Sequence, residues 1–283
     1  MTRREFTLAC LGGMAAAGLS GLPVAAAADA PQQRQTPATK TAGSEGRPHV
    51  AFLLFEGLTS LDLIGPAAVL ANAGFDVDYV WRDKHPVQSE SGADRQLALV
   101  PTATFADVSR TDILCVPGTS NPYVQITQPD VVEWVAEVGR KASWVTSVCT
   151  GSFILGAAGL LKGYRATSHW TVVDELAWFG ASPVRERVVR DRNRVTGAGV
   201  TSGIDFGLEL LALLRGEEAA RAQQLLLEYD PHPPFDSGSP ATASPELVAA
   251  VQKRYAARLA TVAPNARKNL EDAARRLGVP AVQ

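Results

Sequence analysis

A cysteine stands at the junction of two different patterns, where "SWVTSVC" gives way to "TGSFILGAAGLLKG". The first pattern is short, apolar and rich in β-branched residues, as is typical of a buried strand. The second is typical of a helix that ends at Gly163. A thiol on the sharp turn between a strand and a helix has the geometry of a nucleophile elbow. Cys149 is therefore a candidate nucleophile, although its position alone fits a structural cysteine equally well.

The residues that follow Cys149 suit nucleophilic chemistry. The start of a helix offers free N–H groups and a partial positive charge, so we expect the pKa of the thiol to fall by roughly one to several units. Thr150, Gly151 and Ser152 are small enough to let a substrate approach. The N–H of Thr150 is also placed to face a negative charge that develops during a reaction.

Alternating strand and helix patterns run through the chain from His49. Strands are predicted at "HVAFLLF", "FDVDYVWR", "TDILCVPG" and "SWVTSVC", and helices at "GPAAVLANAG", "PDVVEWVAEVGRKA" and "GSFILGAAGLLKG". This alternation predicts an α/β fold of three layers, a doubly wound, mostly parallel sheet with helices on both faces. Ligands bind such sheets at the carboxyl ends of the strands. Cys149, the loop at Gly118 and the loop at Asp62 all follow strands, so we expect them to converge.

The rest of the chain contains shorter elements. "SGADRQLALVPTATFAD" is predicted as an excursion or hairpin, "RATSHW" as a short strand and "TVVDELAWFG" as a helix. "VRERVVRDRNRVTGAG" is predicted as a hairpin that turns near Arg192 and Asn193. Five arginines at residues 185–194 alternate with valine and acidic residues, which favours a solvated strand face over a nucleic-acid patch. Helices are predicted at "SGIDFGLELLALLRG", at "EEAARAQQLLLEY" and from "SPELVAAVQKRYAARLATV" onward.

Composition excludes several classes of site. The 283 residues carry a net charge of −2, and no basic face for nucleic acid is evident. Three cysteines do not form a disulfide framework, and Cys115 inside "DILCV" is expected to be a small core residue. No Gly-rich phosphate loop is present, so no cofactor is predicted. No metal site is predicted either, because ligand-like spacing is missing from all four histidines, which are His49, His85, His169 and His232.

The N-terminal segment has the pattern of a twin-arginine export signal. Arg3 and Arg4 precede a weakly apolar Gly/Ala-rich stretch that ends in Ala-x-Ala, with cleavage expected near Ala28. We therefore predict passage through the twin-arginine export machinery to the periplasm or the outside of the cell. Four parts are predicted: an export signal (residues 1–30), a disordered linker (31–48), one folded domain (49–240) and a helical extension (241–283).

Four stretches of residues 49–240 resemble the ThiJ/PfpI superfamily, which has the class I glutamine-amidotransferase-like, flavodoxin-like fold. They are "FEGLTSLDLIGPAAVL", "SVCTGSFILGAAGLLKGYRATSHW", "RVVRDRNRVTGAGVTSGIDFGLEL" and "LEYDPHPPFDSGSP". The second stretch carries the cysteine elbow that the whole superfamily shares. The last is specific enough to favour the isonitrile hydratase branch. The resemblance implies that Cys149 is the nucleophile and that Asp62 supplies a carboxylate near the thiol.

The same resemblance implies an activity: a cysteine-dependent hydro-lyase that hydrates isocyanides to N-substituted formamides. Thr150 is expected to position water, and it occupies the place where PfpI-type proteases carry a catalytic histidine, which argues against peptidase chemistry. Gly118 and Thr119 are expected to form the oxyanion-type part of the site. His169 and Trp170 are expected near the pocket. The substrate is a small molecule, and the family implies a homodimer.

One departure from the family pattern leaves the substrate range open. The family usually has a Gly-Gly pair after the strand, whereas this chain has Thr119 after Gly118, which restricts φ and adds bulk beside the thiol. Two other functions remain open. One is a thiol enzyme of the same fold that acts on reactive carbonyls, of glyoxalase or deglycase type. The other is a non-catalytic ligand-sensing or redox-sensing domain related to AraC-type regulators.

Overall fold

A seven-stranded sheet forms the centre of the fold in the computed structural model, which describes residues 46–90 and 97–280. The strands of the described residues are β1 (His49–Leu53), β2 (Asp76–Trp81), β3 (Val87–Gln88), β4 (Ala98–Leu99), β5 (Ala103–Thr104), β6 (Ile113–Val116), β7 (Trp144–Val148), β8 (Arg165–Ala166), β9 (Ser182–Pro183), β10 (Val188–Asp191) and β11 (Arg194–Gly197).

The strand order of the sheet is β10-β11-β7-β6-β1-β2-β5. Only β10 is antiparallel to its neighbour, because it forms a hairpin with β11, and the other pairs in this sheet are parallel. Two small pairs lie outside it: β3 with β4, which are antiparallel, and β8 with β9, which are parallel. The predicted mostly parallel sheet is confirmed.

Helices pack in two groups against this sheet. The helices are α1 (Ser60–Asn72), α2 (Pro122–Gln125), α3 (Pro129–Lys141), α4 (Gly151–Ala157), α5 (Ser202–Arg215), α6 (Glu217–Leu226), α7 (Pro245–Val262) and α8 (Ala266–Leu277), with a 3₁₀ helix at Val173–Phe179. One group comprises α1, α5 and α6. In the other, α4 lies against α2, α3, α8 and the 3₁₀ helix. Helices on both sides of a parallel sheet confirm the predicted three-layer α/β fold.

The continuous apolar runs form the centre of the sheet for a physical reason. Every residue of β1 and β6 is buried, as expected for parallel strands covered on both faces. α3 instead buries one stripe, which includes Val131, Trp134 and Val138, and Pro129 stands in its first turn. Continuous burial in the strands and burial every three or four residues in α3 thus distinguish strands from helices along this part of the chain.

The strand register brings three chain segments to one edge of the sheet. Val116, the last residue of β6, pairs with Ser147 near the end of β7, and β1 pairs with β6 on its other side. Cys149 follows β7 directly, Gly118 lies two residues after β6, and α1 starts soon after β1. The expected convergence at the carboxyl ends of the strands is therefore present in the fold.

Several predicted elements differ in extent or type. The first helix begins at Ser60, so Asp62 lies in its first turn and not in the loop before it. "TVVDELAWFG" forms a 3₁₀ helix and not an α-helix. The strand predicted at "RATSHW" is shortened to Arg165–Ala166 and pairs outside the central sheet. Because propensity alone does not choose between such local geometries, tertiary packing decides them.

The arginine-rich hairpin makes intramolecular contacts. Arg187 donates to Asp205 of α5 at 2.7 Å, and Arg192 lies over the ring of Tyr164. Arg194 is only 8% exposed and donates to the carbonyl of Leu160, so the prediction of a solvated face is wrong at this residue. The turn at Arg192, which has a φ of 54°, confirms the predicted hairpin.

The predicted export signal and residues 31–45 of the predicted linker lie outside the described residues. Within the described residues, no helix combines the length and apolar character that crossing a membrane requires. The predicted C-terminal extension forms α7 and α8. Leu270, Ala273 and Ala274 of α8 are buried, which fixes this helix against the domain.

Candidate functional site

Cys149 directly follows β7 with a φ of 56°, in the left-handed region that residues other than glycine rarely adopt. Its N–H donates to the carbonyl of Gly197 at 3.0 Å. Its carbonyl accepts from the hydroxyls of Ser152 at 3.2 Å and Ser168 at 3.1 Å. These bonds offset a conformation that costs about 1–2 kcal/mol. The turn has the geometry expected for a nucleophile elbow.

The first residue of α4 packs closely against the end of the neighbouring strand. A Cβ at Gly151 would lie 2.1 Å from the carbonyl oxygen of Val116, at the end of β6. Only glycine fits this separation, so the elbow is pressed against the loop that follows β6. Cys149 is 5% exposed in this packing.

Asp62 is fully buried beside the elbow. Its Oδ2 accepts a hydrogen bond from the N–H of Gly118 at 2.9 Å, and its Oδ1 is buried without a hydrogen-bond partner among the described residues. A Cβ at Gly118 would lie 2.8 Å from Asp62 Oδ2 and 2.6 Å from the nitrogen of Thr150. Gly118 therefore lets the carboxyl and the elbow approach each other.

The hydroxyl of Thr150 ties the elbow to the same loop. It accepts from the N–H of Thr119 at 2.8 Å and donates to the carbonyl of Thr119 at 2.6 Å. Both Thr119 and Thr150 are buried. One acceptor lone pair of the Thr150 hydroxyl remains after these two bonds. The N–H groups of Gly118 and Thr119, expected to face substrate, are thus engaged with Asp62 and Thr150.

Burial raises the pKa of Asp62 to about 7, while the N–H of Gly118 and the Cys149 side chain lower it and Glu90 raises it. A carboxyl in water titrates near pH 4, so burial is the dominant effect. Around neutral pH this carboxyl is divided between its acid and its base forms. It is therefore suited to exchange a proton with a neighbouring group.

The predicted lowering of the Cys149 pKa is wrong in direction. Burial raises the pKa of the thiol well above 9, the charge of Asp62 raises it further, and the N–H of Thr150 opposes this effect. The free N–H groups at the start of α4 are thus outweighed by loss of solvent and by a carboxylate. Cys149 is protonated at rest, so a base must take its proton when it reacts.

Glu90 is a member of the site that the sequence reasoning missed. Its carboxylate accepts from the Thr59 hydroxyl at 2.6 Å and from the N–H of Ser120 at 2.7 Å. These bonds join the residue before α1 to the loop after β6. No spacing signal marks Glu90, because it lies two residues after β3, just before the predicted excursion, and far in sequence from both partners.

The other expected residues occupy different surroundings. The Nδ1 of His169 lies 2.7 Å from the hydroxyl of Thr171, and burial lowers the pKa of His169. Trp170 lines a cavity of about 180 Å³, whose walls do not include Cys149 or Asp62. Cys115 is fully buried in β6, and burial raises its pKa to about 12, in agreement with a core role.

The described residues contain no group of three or more His, Cys, Asp or Glu side chains arranged to hold a metal ion. The groups that this edge of the sheet offers are a protonated thiol, a carboxyl that titrates near neutral pH and a threonine hydroxyl. Together they provide a nucleophile, a base for it, and an acceptor for one more hydrogen bond.

A family model matches residues 48–213, described as "DJ-1/PfpI family". Isonitrile hydratase from Pseudomonas putida is 48% identical over 208 residues, which are 73% of this chain and 90% of that protein. A glutathione-independent glyoxalase of Caenorhabditis elegans, DJR-1.2, is 26% identical and covers 58% of this chain and 86% of its own length.

A solved structure is also similar to this one. The crystal structure of a THiJ/PfpI family protein from Pseudomonas syringae has a TM-score of 0.72 at 42% sequence identity. The match covers 81% of this chain and 91% of that one. The family match and this structure agree on the fold that the sequence pattern predicts.

Proposed function

The chain belongs to the DJ-1/PfpI family, and from that premise we propose that it hydrates isocyanides to N-substituted formamides with Cys149 as its nucleophile. The similarity to an isonitrile hydratase supports this substrate class. One observation carries the proposal: a buried carboxyl with a pKa of about 7 lies beside a buried thiol that stays protonated. This pair suits a substrate whose single carbon accepts both a soft nucleophile and a proton.

In the first step Asp62 acts as base. Its carboxylate takes the proton of the Cys149 thiol while the sulfur forms a bond to the isocyanide carbon. The carbon then carries an unshared electron pair, and it takes the same proton back from Asp62. The product is a thioimidate, R–N=CH–S–Cys149. Asp62 ends this step as a carboxylate.

In the second step water adds to the thioimidate carbon. Asp62 takes one proton from the water and passes it to the nitrogen. The resulting R–NH–CH(OH)–S–Cys149 gives its hydroxyl proton to Asp62 as the carbon–sulfur bond breaks, and Asp62 returns that proton to the sulfur. The free product is the formamide R–NH–CHO, so the overall reaction adds one water to R–NC.

The surrounding residues position this pair. Gly118 holds one carboxylate oxygen of Asp62, which leaves the unpaired Oδ1 to exchange protons. The Thr150 hydroxyl, fixed by Thr119, has one lone pair left to accept a hydrogen bond from the attacking water. Thr150 also places its N–H against the sulfur, where negative charge develops.

The test is a product assay on the purified full chain. Aliphatic and aromatic isocyanides are incubated with the wild type, Cys149→Ala and Cys115→Ala, and the formamide is measured by chromatography. We expect formamide from the wild type and from Cys115→Ala, which removes the other buried thiol, and none above background from Cys149→Ala. Methylglyoxal is assayed in parallel as the substrate of the glyoxalase alternative.

Two results would overturn the proposal. Equal formamide yields from Cys149→Ala and the wild type would exclude a covalent cysteine mechanism. Consumption of methylglyoxal without any formamide from the isocyanides would assign the thiol to reactive carbonyls instead. Circular dichroism of each variant shows that the comparison is made between folded proteins.

A further inference from the structure

Helix α7 lies on the domain along a single face. Val248, Val251, Tyr255 and Leu259 are half-buried, and the rest of the helix is exposed, with no fully buried residue. These positions are three or four residues apart, so they form one stripe of the helix. Tyr255 and Leu259 of this stripe pack against the core of the domain, so α7 covers the domain along this face.

The C-terminal half of α7 is tied to the loop that holds Asp62. Arg258 donates to the Ser120 hydroxyl at 2.5 Å and lies 4.0 Å from the Glu90 carboxylate. The Asn121 side chain donates to the carbonyl of Val262 at 2.9 Å. Ser120 and Asn121 directly follow Gly118 and Thr119, so this half of α7 is fixed beside the proposed reaction site.

The N-terminal half of α7 borders the cavity of about 180 Å³. Leu247, Val248 and Val251 form one side of this cavity, and Trp170 lies on its lining as well. Tyr255 is one helical turn beyond Val251, a rise of about 6 Å. Tyr255 therefore lies on α7 between the part that lines the cavity and the part that is tied to the loop of Gly118.

Tyr255 is half-buried and packs against the core of the domain. Burial raises the pKa of Tyr255, a side-chain hydrogen bond with Thr171 lowers it, and the nearby Glu175 and Cys149 raise it. Thr171 also contacts His169, two residues before it. Tyr255 thus lies on the domain-facing side of α7, between the residues that line the cavity and those tied to the loop of Gly118.

We propose that α7 is the outer wall of the Cys149 site and that Tyr255 determines the largest substituent that reaches the thiol. This role rests on the proposed function only in naming that substituent as the R group of an isocyanide. With the tyrosine ring in place, compact reagents are admitted. Shortening Tyr255 joins the thiol to the cavity lined by Trp170, Val248 and Val251, which then accepts a bulkier apolar group.

Alkylation of Cys149 in the full chain tests this wall without any need for catalysis. The rate is measured with iodoacetamide, which is compact, and with N-cyclohexylmaleimide, which is bulky. Peptide mass spectrometry separates modification of Cys149 from that of Cys10 and Cys115. The measured quantity is the ratio of the bulky to the compact rate at Cys149.

We expect Tyr255→Ala to raise this ratio at least about tenfold, the scale of steric discrimination in protein pockets. Tyr255→Leu, which keeps an apolar contact in the stripe, should raise it in the same direction. Arg258→Ala, which frees the helix from Ser120 and Glu90, should raise both rates. Tyr255→Phe keeps the ring and Lys253→Ala changes an exposed position of α7, so both should leave the ratio unchanged.

An unchanged ratio in both Tyr255→Ala and Tyr255→Leu would overturn the proposal, as would an equal increase in Lys253→Ala. If Tyr255→Ala does not fold, Tyr255→Leu and Arg258→Ala decide the outcome. Failure of the proposed function has a different signature. In that case isocyanides yield no formamide, while the alkylation ratio still changes when Tyr255 is shortened.

Discussion

At the scale of single residues, Asp62 opposes folding at neutral pH. Its pKa is 3.8 in the absence of the fold and about 7 in the folded chain. Between these values the folded state binds more protons than the unfolded state, so stability falls as pH rises through this window. Above pH 7 the full cost of burying the carboxylate is present. A buried carboxyl whose ionisation lowers the stability of the fold is expected at a reaction site, where pKa values are commonly shifted.

Replacing this carboxyl by an amide should therefore stabilise the protein. We expect Asp62→Asn to raise the free energy of unfolding at pH 8 by up to roughly 4 kcal/mol, the equivalent of the pKa shift. Near pH 4 the carboxyl is protonated in the folded state and about half protonated in the unfolded state, so the gain should fall below about 1 kcal/mol. Urea unfolding of both proteins at the two pH values measures this. A gain of the same size at both would show that ionisation is not its cause.

Gly118 is a second residue whose type is fixed by the site. A Cβ there would lie 2.6 Å from the Thr150 nitrogen and 2.8 Å from Asp62 Oδ2. We expect Gly118→Ala to lower stability by about 1–3 kcal/mol, the cost of overpacking, and to reduce activity because both partners must move. Gly238→Ala is the matched control, since a Cβ at Gly238 meets nothing within 4 Å. Equal thermal unfolding midpoints for Gly118→Ala and Gly238→Ala would show that the space at Gly118 is not restricted.

At the scale of elements, the site depends on the contact between the start of α4 and the loop after β6. The Thr150 hydroxyl makes both hydrogen bonds of this contact, one to the N–H and one to the carbonyl of Thr119. Thr119 is thus tied to the elbow through its backbone, while its own hydroxyl accepts from the N–H of Asn121 at 3.3 Å. Thr119 is compatible with the elbow for this reason.

Removing the Thr150 hydroxyl should loosen that contact. In Thr150→Val the N–H and carbonyl of Thr119 lose their partner in a buried place, which costs about 1–3 kcal/mol. Thr150→Ser keeps the hydroxyl and should stay close to the wild type in stability and in formamide formation. Urea unfolding and the formamide assay on both variants test this. A serine variant as impaired as the valine variant would assign the effect to the lost methyl group.

Much of this arrangement is predictable from the sequence, and the reason is geometric. The apolar runs from His49, Ile113 and Trp144 specify parallel strands, and parallel strands end at one edge. The sequence therefore predicts that Cys149 and Gly118 lie at this edge, because each follows the end of one of these strands. Three other features depend on tertiary packing between distant segments. They are the position of Asp62 in the first turn of α1, the hydrogen bonds of Glu90, and the placement of Tyr255 on the domain-facing side of α7. The predicted shift of the Cys149 pKa has the wrong direction, because the local sequence pattern does not show how deeply the thiol is buried.

At the scale of the whole molecule, export and assembly remain predictions. The family implies a homodimer, and light scattering of the purified protein measures its mass directly. The predicted export signal at residues 1–30 precedes a domain in which Cys149 is buried and protonated. A thiol so protected oxidises slowly, since oxidation requires an accessible thiolate, which suits an oxidising compartment.

Changing the twin arginine should retain the protein inside the cell. We expect the double variant Arg3→Lys, Arg4→Lys to accumulate in the cytoplasm at full length, whereas the wild type is exported and loses a segment that ends near Ala28. Cell fractionation with mass measurement of the product separates the two cases. An identical distribution of wild type and variant would exclude a twin-arginine route.

In the proposed mechanism Cys149 and Asp62 react as one proton-sharing pair, and the pH profile of kcat/KM for formamide formation is the sharpest test of this pairing. This quantity reports ionisations of the free enzyme. We expect kcat/KM to rise with an apparent pKa of about 7, as Asp62 becomes a carboxylate, and not to fall up to pH 9, because the thiol stays protonated. A profile that is flat across pH 7, or that falls as pH rises, would contradict it.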